Sequence, residues 1–423
     1  MTVALLPAKG KPQPPFVFGK VDLKLLEQCE ALDRQFEKRA LVYHDAALEK
    51  HLASLAAPLL PATALEHVQW KFHILRYPAV NAFALPNGSI YVDTGLLARA
   101  ENDDQVAGTL AHEITHVTSR HAYLFNRSQR TKTVATDVGM VVAGGLAGLA
   151  AVYLLGSPAG NPDQTGITAA ILGYGRNFEQ EADRNALQCL KQAGRDPLQL
   201  VRLSLIIDDK LEPEPVSIWK DRSPTQDRIA YLKAQAGLDQ DPGPGADGGY
   251  VDRFRAVILQ NIQLDLDTRR FRSAVAGAQR LATTYPEDAM AAYWLGECYR
   301  SLGPREARPT QQTKEGQRDA YRQTVRRTEQ EEADLIAATP EGKAALETNQ
   351  QKAEEFLRKA AGFDPSLSEP YFGLGVLYEQ QGKNKQAIEA YGKYIDLCRE
   401  PADKERARRR VEELTKISPE GVK

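Results

Sequence analysis

The chain is poor in cysteine and histidine, and these shortages narrow the chemistry open to it. Four cysteines occur in 423 residues, Cys29, Cys189, Cys298 and Cys398. They lie so far apart that no C-x-x-C pair forms. That excludes a cysteine zinc finger or a thioredoxin-type motif and argues against a disulfide framework. No Lys/Arg block points locally to nucleic acid, and 54 basic against 56 acidic residues leave a net charge of −2. This balance carries no electrostatic footprint for nucleic acid. The N-terminus, MTVALLPAKGKPQPPF, lacks the basic region and full apolar core of a signal peptide. A cytoplasmic protein, a misplaced start and a chain trimmed near its mature end would all look like this. Finally, no histidine follows His121.

What is present is a soluble globular composition, 42% hydrophobic and 26% charged, in a length that predicts two or three domains. Residues 1–60 read as a Pro/Gly/Lys-rich lead-in followed by helices, with Leu25, Leu26, Cys29 and Leu32 at helical spacing. Residues 61–241 form the next domain. Val68, Trp70, Phe72 and Ile74 alternate with polar residues as in a strand. NAFAL (81–85) and SIYVDT (89–94) flank the turn PNG, a hairpin signal. Few strands beside many helices predict a small, mainly antiparallel sheet packed on helices. Asp103 or Asp104 is expected to cap a helix running to about residue 130, and a second helix is expected over 176–193 with Gly194 as its stop. PGPGADGG (242–249) reads as a linker.

Residues 250–423 repeat at the tetratricopeptide spacing. Tyr371, Leu374, Gly375, Tyr378, Gly382, Ala387 and Tyr391 mark one copy. Leu295, Gly296, Tyr299 and Gly303 open an earlier copy, which resumes at Ala353, Leu357, Ala360 and Pro365 after a charged insert at about 304–350. A degenerate first copy ends at Pro286. Three helical hairpins of this kind are expected to stack into a concave surface of the sort that binds peptide segments of partner proteins, the alternative being a helical bundle with no ligand.

The stretch 109–121, TLAHEITHVTSRH, carries the chemistry. On a helix His112 and His116 share one face and can hold one metal ion, while Glu113 lies about 100° around from His112. Two imidazoles for zinc and a glutamate to take a proton from the attacking water are the parts of a zinc hydrolase. Such a pattern arises by chance in about one chain in a hundred of this composition, so a third ligand is the test. His121, nine positions after His112, points away on a continuing helix. A downstream ligand must then be a carboxylate or Cys189. In FEQEAD, Glu179 and Asp183 share a helical face, with the small Ala182 and Ala186 beside them to permit close approach. Glu179 can ligate, and Asp183 can accept the outer N–H of a ligating imidazole, His112 being the expected one.

The series NAFALPNGSIYVDTGLL, HEITHVTSRH and GRNFEQEAD resembles the zinc metallopeptidase family of HtpX, BepA and the type-one CAAX prenyl proteases, over roughly residues 65–235. With the appended repeats, the chain is most similar to the BepA-like branch. The resemblance implies an α+β zincin-like (gluzincin) domain followed by an all-α repeat domain. It implies endopeptidase activity with one Zn2+ per chain, protein or peptide substrates, and a periplasmic or envelope location. His112, His116 and Glu179 would ligate zinc, Glu113 would be the catalytic base, and Asp183 would support the ligands. Arg176 matches the family's arginine before the ligand glutamate, as a helix-start ion pair or a substrate contact. The family's His-Pro near the end of the catalytic domain is absent here, where Ser223 stands instead. Tyr174 and Arg228 are the residues to examine for oxyanion stabilisation. NAFAL, and so Asn81, Ala82, Phe83 and Ala84, is either a substrate-pairing edge or a plain core strand.

Residues 138–155, VGMVVAGGLAGLAAVYLL, are uncharged and just long enough to span a bilayer. A single crossing would separate HEITH from Glu179. The run therefore reads as a buried helix, a lid or a membrane-contacting hairpin. A non-enzymatic alternative, an assembly factor with a structural or closed zinc site, keeps the same residues.

Overall fold

The computed structural model describes residues 16–130, 174–208, 225–307, 333–334 and 336–417. The apolar run 138–155, Ser223 and most of the charged insert lie outside these residues. The chain divides into two compact units, the first reaching Asn261 and the second continuing from Ile262.

In the first unit, α1 (Lys20–Lys38) buries the stripe Leu25, Leu26, Cys29, Leu32 and Phe36 against Phe83, Leu85, Tyr91, Tyr123 and Tyr174. Helix α2 (Ala46–Ala56) is capped by Asp45, whose carboxylate accepts from the amides of Ala47 and Leu48. The strands are β1 (Lys71–Leu75), β2 (Ala82–Ala84) and β3 (Ser89–Asp93), ordered β1-β3-β2. The PNG turn joins β2 to β3 as an antiparallel hairpin, Phe83 opposite Tyr91, and Gly88 takes the positive φ of 94° that favours glycine there. From α1, Asp33 accepts hydrogen bonds from Asn87 Nδ2, Ser89 Oγ and Tyr91 OH, tying that helix to the hairpin.

The sheet is mixed rather than mainly antiparallel, because β1 pairs with β3 in parallel, Lys71 opposite Ser89. The connection after β1 carries the chain past the position that β3 then fills. Alternation along β1 signals a strand but says nothing about which neighbour it takes.

Next come α3 (Thr94–Arg99) and α4 (Asp103–Thr118), which holds the HEITH motif. Asn102 caps α4, not Asp103 or Asp104: its side chain accepts from the Gln105 amide at 3.1 Å. The two aspartates serve tertiary contacts instead, Asp103 with Arg253 and His51 and Asp104 with Arg195. Every residue of α4 from Gln105 to Val117 is buried, so it is a central helix packed on all sides.

The helix does not run on to residue 130. It stops at Ser119, Arg120 adopts φ 57°, and α5 (His121–Arg130) starts afresh. A left-handed residue with a side chain costs about 1–2 kcal/mol. The Arg120 guanidinium, stacked over the rings of Phe16 at 4.4 Å and Phe18 at 5.7 Å, offsets part of that.

Helix α6 (Arg176–Gln192) brings FEQEAD against α4 through the fully buried Ala182 and Ala186, and Gly194 ends it with φ 69°. Helix α7 (Leu198–Asp208) presses on α4 so closely that a methyl group at Gly108 would come within 3.1 Å of Leu200 Cβ. Helix α8 (Thr225–Ala236) follows, then α9 (Tyr250–Asp267), inside which the division into units falls.

The second unit continues with α10 (Phe271–Thr284), α11 (Ala289–Leu302), α12 (Pro340–Phe363), α13 (Glu369–Gln380), α14 (Asn384–Leu397) and α15 (Pro401–Ile417). Its small residues sit where helices touch. A Cβ on Gly375 would meet the Tyr391 ring at 2.6 Å, and one on Gly296 would meet Leu357 Cγ at 2.7 Å. The repeat opened at Leu295 is thus completed at Leu357, across the insert. No helix among the described residues is long and apolar enough to cross a membrane.

Candidate metal centre

One turn of α4 separates His112 from His116, and their Nε2 atoms face each other at 3.0 Å. Glu179 enters from the first turn of α6. Its Oε2 lies 3.3 Å from His112 Nε2 and 3.8 Å from His116 Nε2. Donors about 2.1 Å from a tetrahedral ion stand roughly 3.4 Å apart, and the three separations bracket that value. Two imidazoles and a carboxylate, all buried, are a donor set that suits zinc. Among the described residues these three are the one such group. Cys189 is not in it, and burial pushes its thiol pKa up. Glu113 follows His112 on the same helix and is buried, 2% exposed.

The rear of each ligand is held. His112 Nδ1 lies 2.9 Å from Asp183 Oδ1. Asp183 is gripped in turn by Arg228, whose Nε donates to Oδ2 at 2.8 Å and whose Nη2 donates to Oδ1 at 2.5 Å. Burial disfavours charge on His112, but hydrogen bonds to Asp183 and Glu179 outweigh it and push its pKa up to about 9. Burial likewise works against the Asp183 carboxylate, and the Arg228 charge with the His112 hydrogen bond still holds its pKa below the usual range. Glu179 Oε1 accepts from the backbone amide of Tyr174 at 3.1 Å. The Tyr174 ring stacks on His116, centroids 4.6 Å apart and planes 25° apart.

Several expected residues sit elsewhere or act differently. Arg228, examined for oxyanion stabilisation, is buried behind His112 on Asp183. Arg176 stands at the exposed start of α6, 3.7 Å from Asp227. Asn81, Ala82, Phe83 and Ala84 are all buried. The Phe83 ring stacks on Tyr91 and meets Phe36 edge-on, so this side chain belongs to the core. Among the described residues β2 pairs only with β3, which leaves its backbone at the sheet edge. His121 does not point away. The break at Arg120 turns it back, so that its Nδ1 lies 2.9 Å from His116 Nδ1. Nothing in the sequence marked that break, since neither glycine nor proline stands there.

Residues 46–236 match the profile of peptidase family M48. Over this region the chain is similar to peptidase family M48. Residues 368–401 match a tetratricopeptide repeat. The M48 region is similar to the beta-barrel assembly-enhancing protease of Escherichia coli (strain K12), with 30% identity over 170 residues, 39% of this chain and 33% of that protein. It is also similar to the mitochondrial metalloendopeptidase OMA1 of Schizosaccharomyces pombe, with 28% identity over 156 residues, 37% of this chain and 42% of that protein. The chain thus spans between a third and a half of the length of these relatives. The M48 family is zinc-dependent, and the His112, His116 and Glu179 group fits that metal.

Proposed function

We propose that the chain is a zinc-dependent endopeptidase with one Zn2+ held by His112, His116 and Glu179, acting on unfolded or misassembled proteins of the cell envelope. One observation carries the reading: three buried donor atoms at tetrahedral spacing, with Glu113 on the adjoining helix position.

His112, His116 and Glu179 would hold the zinc, which when bound would supply Lewis-acid polarisation at this site. Glu113 takes the proton of the attacking water and passes it to the leaving amine. Asp183, fixed by Arg228, orients His112. The Tyr174 amide holds the far oxygen of Glu179, which turns the near oxygen toward the two Nε2 atoms. Residues 81–84 are a backbone-pairing edge for an extended peptide or a plain core strand, and their burial favours the core strand. Arg176, exposed at the start of α6, contacts substrate or only pairs with Asp227. The repeats recruit substrate or partner proteins. The envelope setting and the choice of misassembled proteins draw on the resemblance to the beta-barrel assembly-enhancing protease.

The test is cleavage of casein by zinc-loaded wild type and by Glu113→Gln, prepared side by side. Glutamine keeps the size but cannot take the proton. Cleavage by wild type that falls at least a hundredfold in the variant supports the assignment. Equal cleavage by both refutes it.

A further inference from the structure

Each ligating imidazole needs a partner on its second nitrogen, because that partner decides which nitrogen carries the proton. His112 has Asp183. For His116 the partner is another histidine, on the next helix.

We infer that His121 is a positioning residue for His116, fixing its tautomer and orientation through a chain that runs His116, His121, Glu181. The inference rests on His116 being a zinc ligand, as proposed above. To present a lone pair from Nε2, His116 must carry its proton on Nδ1. The atom facing that nitrogen, at 2.9 Å, is His121 Nδ1, which must therefore accept. His121 then carries its own proton on Nε2, and Glu181 Oε2 lies 3.6 Å from that nitrogen, an electrostatic contact rather than a hydrogen bond. Glu181 is held in turn by Ser119, whose Oγ donates to Oε1 at 3.1 Å. A carboxylate oxygen, an acceptor, thus stands at the end of the chain.

Packing removes the alternatives. His121 is fully buried, with the Phe178 ring 4.5 Å from its own and the Tyr174 ring 5.8 Å away. The ring is held in place while its two nitrogens face His116 and Glu181. The left-handed turn at Arg120 is what brings it there. The two ligands are thus backed differently: His112 by a carboxylate clamped with a guanidinium, His116 by an imidazole that ends on a half-exposed glutamate.

The test measures zinc affinity of the full chain by competition with a chromogenic chelator, for wild type, His121→Phe and His121→Asn. Phenylalanine keeps the ring packing but removes the acceptor, whereas asparagine restores an acceptor oxygen close to the Nδ1 position. Loss of supporting partners of this kind lowers metal affinity about 10–100-fold. The expected result is a loss of that size for His121→Phe, largely recovered in His121→Asn. Affinity of His121→Phe within twofold of wild type would overturn the inference. Nitrogen-15 NMR of zinc-loaded wild type provides an answer even if the variants fold poorly. A proton on His121 Nε2 with a bare Nδ1 supports the chain, and a proton on Nδ1 overturns it. Wild type that binds no zinc would defeat the reading of the site itself, a different outcome from a variant that binds as well as wild type.

Discussion

Asp183 Oδ1 lies 2.9 Å from His112 Nδ1, with both side chains removed from solvent and the Arg228 guanidinium paired with both oxygens of the carboxylate. This contact fixes which nitrogen His112 offers to the centre. It also makes the region electrostatically interdependent, since a buried charge that loses its partner is costly.

Asp183→Asn is therefore expected to act twice. It removes the carboxylate charge that faces the buried Arg228 guanidinium, and breaking a buried pair of this kind should destabilise the metal-free fold by about 3–5 kcal/mol. It also weakens the hydrogen bond that orients His112, lowering zinc affinity about 10–100-fold. Urea unfolding and chelator competition measure the two effects separately.

Zinc binding should depend on pH well above neutrality. In the metal-free protein His112 titrates at about 9 rather than 6.5. Its charged form stabilises the metal-free fold; that contribution is full below 6.5 and is lost as pH rises through about 9. Zinc must displace the same proton, so affinity is expected to rise roughly tenfold per pH unit below about 9 and then level off. Competition titrations at pH 7, 8 and 9 follow this directly. A flat profile from pH 7 upward would contradict it.

Glu179→Ala removes the one oxygen donor of the group. Only two imidazoles remain, below the three protein ligands of a catalytic zinc site. Zinc content after dialysis, read by mass spectrometry, should fall well below one ion per chain. A full ion in this variant would remove Glu179 from the ligand set.

Gly375→Val places a branched side chain where even one carbon would sit 2.6 Å from the Tyr391 ring. Overpacking of this kind costs about 1–3 kcal/mol, and it falls within the second unit. Casein cleavage is expected to weaken several-fold while cleavage of a short peptide stays within twofold of wild type. An equal loss on both substrates would speak against a role for the repeats in protein recruitment.

The centre was legible in the sequence where its parts are local. His112, Glu113 and His116 lie within two turns of one helix, and Glu179 and Asp183 lie on another whose alanines announced close packing. The repeats were legible because Gly375 and Tyr391 obey a fixed spacing. What could not be read was tertiary or strained. Arg228 reaches Asp183 from 45 residues away. The parallel partner of β1 depends on the route of the connection after it. Asn102 and its acidic neighbours look equally suited to cap a helix until Arg195 and Arg253 claim the aspartates. His121 was misread because a single left-handed arginine, steadied by Phe16 and Phe18, ends a helix that periodicity alone would continue.

The most direct measurement is anomalous diffraction at the zinc edge from crystals of the zinc-loaded chain. The account predicts one strong peak within about 2.2 Å of His112 Nε2, His116 Nε2 and a Glu179 oxygen. No peak there, or a peak bound by other residues, would contradict it.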